Sequence, residues 1–179
     1  MQRSIVVVIV SSLFASVPIL AAPHAETFQV PKRGEVQLSV PDGWVSELSQ
    51  PPGEVPPTIS LKPKVGQPFE VMITPYWRRG DDTTVYESAL REQTEAAAAD
   101  AQSQAVEKAL TLKELSGTEG HGYYFTATDR APKPGEYKYM AQGMLKLGNL
   151  GLAFTVLTND GQADVLAAAL QVLSTAEHK

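Results

Sequence analysis

Between Glu136 and Thr158, two runs rich in aliphatic, aromatic and β-branched residues are separated only by Gly148-Asn149. A connection this short can join two strands only as an antiparallel hairpin, because parallel neighbours need a crossover of a dozen residues or more. Glycine beside asparagine supplies the positive φ that a two-residue hairpin demands. The second half of the chain is therefore expected to be antiparallel sheet. In Leu150–Thr158, Leu152, Phe154 and Val156 fall on one face and Ala153 and Leu157 on the other. Apolar residues on both faces predict a central strand covered on both sides.

The rest of the chain follows the same logic. Residues 28–40 read as two short extended segments about Pro31–Gly34, and Val36, Leu38 and Val40 alternate with Glu35, Gln37 and Ser39, the period-two mark of a half-exposed strand. Pro41-Asp42-Gly43 turns the chain ahead of Trp44, a candidate core anchor. Prolines 51, 52, 56 and 57 with Gly53 make a stiff loop, followed by strands at Ile59–Lys62 and Phe69–Tyr76. Thr84-Val85-Tyr86-Glu87 matches a capping box, with Asp81 and Asp82 just ahead of it. A helix is expected there, with Ala89, Leu90, Ala97, Ala101, Ala105 and Ala109 recurring at threes and fours. Gly122–Thr128 predicts another strand. Asn159 or Asp160 is placed to cap a last helix striped by Val165, Leu166, Ala169, Leu170 and Leu173. The fold class expected is α+β, an antiparallel β-sheet flanked by helices.

Residues 1–25 have the layout of a secretory signal: Arg3, an apolar stretch from Ile5 to Leu20, then Ala21, Ala22 and Ala25. Serines and Pro18 break the stretch, so it falls short of the roughly 20 continuous apolar residues that span a bilayer. Cleavage after Ala22 or Ala25 fits, the later being preferred, with an uncleaved anchor as the alternative. Residues 26–179 then form a single domain in the periplasm or outside the cell, with no stable membrane anchor. There is no cysteine, so neither disulfides, a lipid-anchoring thiol nor a thiolate metal site is available. The chain carries 15 basic and 20 acidic side chains, and losing the leader removes Arg3 but no acid. Such a surface repels phosphate backbones, which excludes nucleic acid as the expected partner.

Two segments carry candidate binding groups. Asp129–Tyr139 combines Pro132, Pro134 and Gly135 with Asp129, Arg130 and Lys133, and with Tyr137 and Tyr139 spaced to share a strand face. Loops on a rigid sheet are where binding groups concentrate, although the tyrosines of a stiff hairpin can equally pack on neighbours. Trp77-Arg78-Arg79 ends a strand with an aromatic ring beside two guanidinium groups, suited to carboxylate or phosphate ligands or to local pairing with Asp81 and Asp82. The three histidines, His24, His121 and His178, are too scattered to predict a metal site, and no cofactor motif is present. Ser116 or Ser88 would need His121 as a base, and nothing in the sequence pairs them.

Phe28-Gln29-Val30-Pro31, the Val36–Gly43 segment with Trp44, the capped helix and the Gly122-Tyr123-Tyr124-Phe125 strand together resemble the PsbP/DcrB-like α/β/α sandwich superfamily. That superfamily includes the extrinsic PsbP protein of photosystem II and DcrB-like bacterial envelope proteins. The Asp129–Tyr139 segment looks like one found in uncharacterised secreted bacterial proteins. The resemblance implies an accessory or binding protein with no shared catalytic set. The expected function is thus an exported, non-enzymatic module contacting a protein partner or small ligand through strand ends and the 129–139 hairpin. The alternative is a small periplasmic hydrolase using His121 or a carboxylate as base.

Overall fold

The computed structural model describes residues 23–53, 55–78 and 85–179. Residues 1–22, Arg79, Asp81, Asp82 and Thr84 lie outside them, and the expectations placed on those residues with them. Two antiparallel sheets and two helices make up the described chain, an α+β architecture.

The smaller sheet holds β1 (His24–Val30), β2 (Gly34–Val40) and the short β10 (Glu177–His178), with β2 in the middle. Pro31-Lys32 joins β1 to β2; proline presets the first turn position and Lys32 takes φ 59°, the signature of a type II turn closed by Arg33 N–H donating to the Val30 carbonyl at 2.9 Å. The larger sheet has seven strands in the order β3 (Trp44–Ser49), β4 (Thr58–Pro63), β5 (Glu70–Tyr76), β9 (Leu150–Thr158), β8 (Tyr139–Leu147), β7 (Gly120–Thr128) and β6 (Lys113–Gly117). Leu147 pairs with Leu150 across the hairpin turn, where Gly148 takes φ 57°. That is the position a type II′ hairpin gives to glycine.

One face of the large sheet supplies the main core. Ile59, Leu61, Val71, Ile73, Leu145, Leu152, Phe154 and Val156 pack there against Val36, Leu38 and Val40 of the small sheet. They also meet Ala169, Val172 and Leu173 of α2 (Ala163–Ser174). Trp44 seals one end against Phe69, with ring centroids 4.7 Å apart. The layer on this face is thus shared between α2 and a second sheet, a division the sequence reading had not made.

The other face is covered by α1 (Glu87–Ala101), which buries Leu90, Thr94 and Ala98. The observed stripe is not the alanine series expected. Thr94 can face inward because its hydroxyl donates to the Leu90 carbonyl at 2.7 Å, and small alanines leave several faces sterically equivalent. Ala97 and Ala101 flank the stripe half-buried, Ala105 lies beyond the helix, and Ala109 is exposed. The helix begins from Tyr86 at its N-cap without a side-chain cap. At α2 the cap expected from Asn159 or Asp160 falls instead at Gln162, because the Asn159 side chain accepts from Lys138 N–H and the Asp160 carboxylate is held by Lys138 and Tyr139. Gln162 is buried and satisfied: its amide donates to the carbonyls of Gln67 and Pro68, and its oxygen accepts from Asn159 N–H at 2.8 Å.

Candidate functional site

The site arises because α1 packs on β7 and β8 rather than on the middle of the sheet. β9 is central, as its composition predicts, and Leu152, Phe154 and Val156 are fully buried. Ala153, Thr155 and Leu157, facing α1, remain half-exposed, as do Met72 and Thr74 on β5. The expectation that β9 is covered on both faces is therefore corrected: the sheet is wider than one helix can shield, and α1 sits to one side.

A groove runs between α1 and this floor. One section, of about 430 Å³, is lined by Ala97, Asp100, Ala101, Tyr137, Met140 and Leu157, among others. The second, of about 230 Å³, is lined by Met72, Thr74, Gln93, Thr94, Met144 and Thr155, among others. The sections meet at Ala97 and Gln142, which line both. Met72, Met140 and Met144 are all the methionines beyond Met1, and all three line this groove. Unbranched thioether side chains adapt their shape to an occupant. The sequence reading missed these residues, although Met140, Gln142 and Met144 lie at period two within a run it read as strand.

At its far end, Tyr76 lies over Gly151, its cross-strand partner, and its hydroxyl approaches the Met144 sulfur at 3.8 Å. Burial pushes the Tyr76 phenol up to about 12.

The 129–139 segment closes the other end. Only Tyr139 belongs to β8, and the two tyrosines part company. Both line the groove, but the Tyr139 hydroxyl is tied to Asp160 at 2.6 Å, whereas at Tyr137 burial first and then Glu70 raise the phenol. Lys138 meets both Asp160 oxygens, at 2.9 and 3.0 Å. The Tyr139 hydroxyl, then Lys138, hold Asp160 below the usual carboxylate range. The Asp129 carboxylate accepts from Ala131 N–H at 2.8 Å, Arg130 donates to the Ala105 carbonyl at 2.7 Å, and Lys133 pairs with Glu136 at 3.7 Å.

Trp77 and Arg78 stand elsewhere. Trp77 packs against the main core with the Arg33 guanidinium 5.6 Å from its ring centroid, and Arg78 lies 5.6 Å from the Tyr86 ring. In the β5–β9 ladder Glu70 pairs with Leu157 and Tyr76 with Gly151. The Trp77 cluster and Tyr137 thus lie at opposite ends of strands about 20 Å long.

Ser116 and His121 are paired across the β6–β7 hairpin, with Oγ and Nδ1 3.4 Å apart. Both are exposed, neither lines the groove, and no carboxylate among the described residues orients the imidazole. Among the described residues no group of three His, Asp or Glu side chains is placed to hold a metal ion, and no helix is long and apolar enough to cross a membrane.

A helix laid off-centre on a seven-stranded antiparallel sheet, with a mixed helix and sheet layer behind, defines a PsbP-like α+β sandwich. The solution structure of cyanobacterial PsbP (CyanoP) from Synechocystis sp. PCC 6803 shares this fold: TM-score 0.50, 12% identity, covering 93% of this chain and 99% of that one. At that identity the likeness shows the fold alone. No family model and no curated protein matches the chain.

Proposed function

We propose that this chain is an exported, non-enzymatic binding module of the bacterial envelope that takes a small amphipathic ligand into the groove between α1 and β9. The observation that carries this reading is the half-open floor. A section of about 430 Å³ joined to one of about 230 Å³ is the size range of small-ligand sites, and its lining mixes apolar side chains with a few polar groups. Tyr137 and Lys138 bring the 129–139 segment into the lining, while Asp129 borders both the groove and a neighbouring depression lined by Arg130 and Lys133. The leader supports export, and the acid excess argues against nucleic-acid partners.

Titration with the neutral fluorophore N-phenyl-1-naphthylamine tests the reading. Fluorescence enhancement should saturate with the wild-type protein and weaken about tenfold in Ala97→Leu, which fills the junction of the two sections on a half-exposed helix position. Equal enhancement by both proteins, or none by the wild type, overturns it. Placing catalysis at Ser116 and His121 instead would require an exposed pair to bind substrate without a cleft.

A further inference from the structure

We infer that the ligand of this groove is an apolar cation: a hydrocarbon body on the methionine floor with an ammonium or guanidinium group at the Asp100, Asp129 and Tyr137 end. The inference rests on the proposed use of the groove and adds the sign of the ligand's charge. Three independent features at that end favour positive charge.

The first is the carboxylates. Asp100 has no hydrogen-bond or ion-pair partner among the described residues, and Asp129 binds only one backbone N–H through one of its oxygens. The one cationic side chain in the lining, Lys138, is held by both oxygens of Asp160. The second is the helix end. Cavity-lining Ala97, Asp100 and Ala101 form the last turn of α1, which carries no basic residue, so the negative end of the helix dipole faces the groove without a counter-charge of its own. The third is the Tyr137 ring in the same lining, since an aromatic face attracts cations.

A second cavity of about 400 Å³, between β7–β9 and the start of α2, gives the contrast. There Glu107 is bonded to Thr128, Lys113 donates to Thr126, and Asp160 is paired with Lys138 and Tyr139. Its charged side chains are each hydrogen-bonded within the protein, whereas Asp100 at the end of α1 has no such bond among the described residues, and the nearby Arg130 is engaged by the Ala105 carbonyl. From Ala101 back to Thr94 the helix rises on the order of 10 Å, enough for an alkyl chain to run from the acidic end toward Met144.

The test follows the ε-methyl signals of Met72, Met140 and Met144 in the full-length processed protein, with n-octylammonium, n-octanol and octanoate as probes. Octylammonium should shift the Met140 signal saturably and bind about tenfold or more tighter than octanol, with octanoate weakest. Asp100→Asn/Asp129→Asn should erase the preference for octylammonium while leaving octanol binding and the thermal transition unchanged. If octanol or octanoate binds as well as octylammonium, or the double variant keeps the preference, the charge assignment falls and the groove stands. If no probe moves any methionine signal, both fall.

Discussion

Gly151 shows how one missing side chain shapes the site. A Cβ there would lie 2.2 Å from the Tyr76 ring, so the ring can lie over the β5–β9 ladder only because position 151 is bare. Gly151→Ala should push Tyr76 off the sheet and lower stability by about 2 kcal/mol, read as a shift in denaturant midpoint with unchanged slope. The phenol itself sets an alkaline limit. Its value is raised from an ordinary 10.0 to about 12, so the folded state holds the neutral form after the unfolded chain has ionised. The stability it contributes is complete below pH 10 and is lost as pH rises toward 12. Part of the ring is solvent-exposed, so the loss should be about 1–2 kcal/mol, below the value of about 2.7 kcal/mol that two pH units imply. Tyr76→Phe should flatten that decline relative to wild type in urea titrations between pH 9 and 12.

Among the elements, the chain between α1 and β6 decides where the groove ends. After Ala101 it is held by a bridge between Ala105 and Asp129, by Val106 N–H donating to the Thr128 carbonyl, and by Glu107 accepting from both the N–H and the hydroxyl of Thr128. Burial alone would raise the Glu107 carboxyl, but the two Thr128 bonds outweigh it and hold it below its ordinary 4.5. A depressed carboxylate contributes stability above its ordinary value and loses it as pH falls through the folded-state value. Glu107→Gln should therefore be less stable than wild type at pH 7, with the difference closing below pH 4, and hydrogen exchange at Thr128 should accelerate in the variant at neutral pH. The helix stop at Ala101 was not legible from the alanine spacing, which continues through Ala105 and Ala109. Alanine favours a helix wherever it stands, and the bonds to Thr128, Asp129 and Arg130, with the Gln102 side chain bonded to Glu107 and Leu110, draw residues 102–110 out of it.

For the whole molecule, the first strand bears on the two expected cleavage positions, after Ala22 and after Ala25. β1 starts at His24, which pairs with Val40 and whose imidazole meets Glu26 at 2.7 Å and Asp42 at 3.1 Å. Cleavage after Ala25 would discard these contacts and cleavage after Ala22 would keep them. A processed chain is therefore expected to retain His24, and intact-mass measurement of the native protein checks this. Local patterning determined the α+β class, both strands of the Gly148-Asn149 hairpin, the β1–β2 pair and the central place of β9, because period-two alternation and turn residues act within a few positions of one another. The candidate segment around Tyr137 was legible because its prolines, glycine and charges cannot continue a strand. The tertiary structure alone decided that β10 joins β2, that Trp77 and Tyr137 stand at opposite ends of the sheet, and that α1 lies over β7 and β8. An alanine-rich helix carries too little side-chain shape to choose its own position on a sheet. Packing across the whole molecule chooses it, and the uncovered strip of β9 and β5 is what remains.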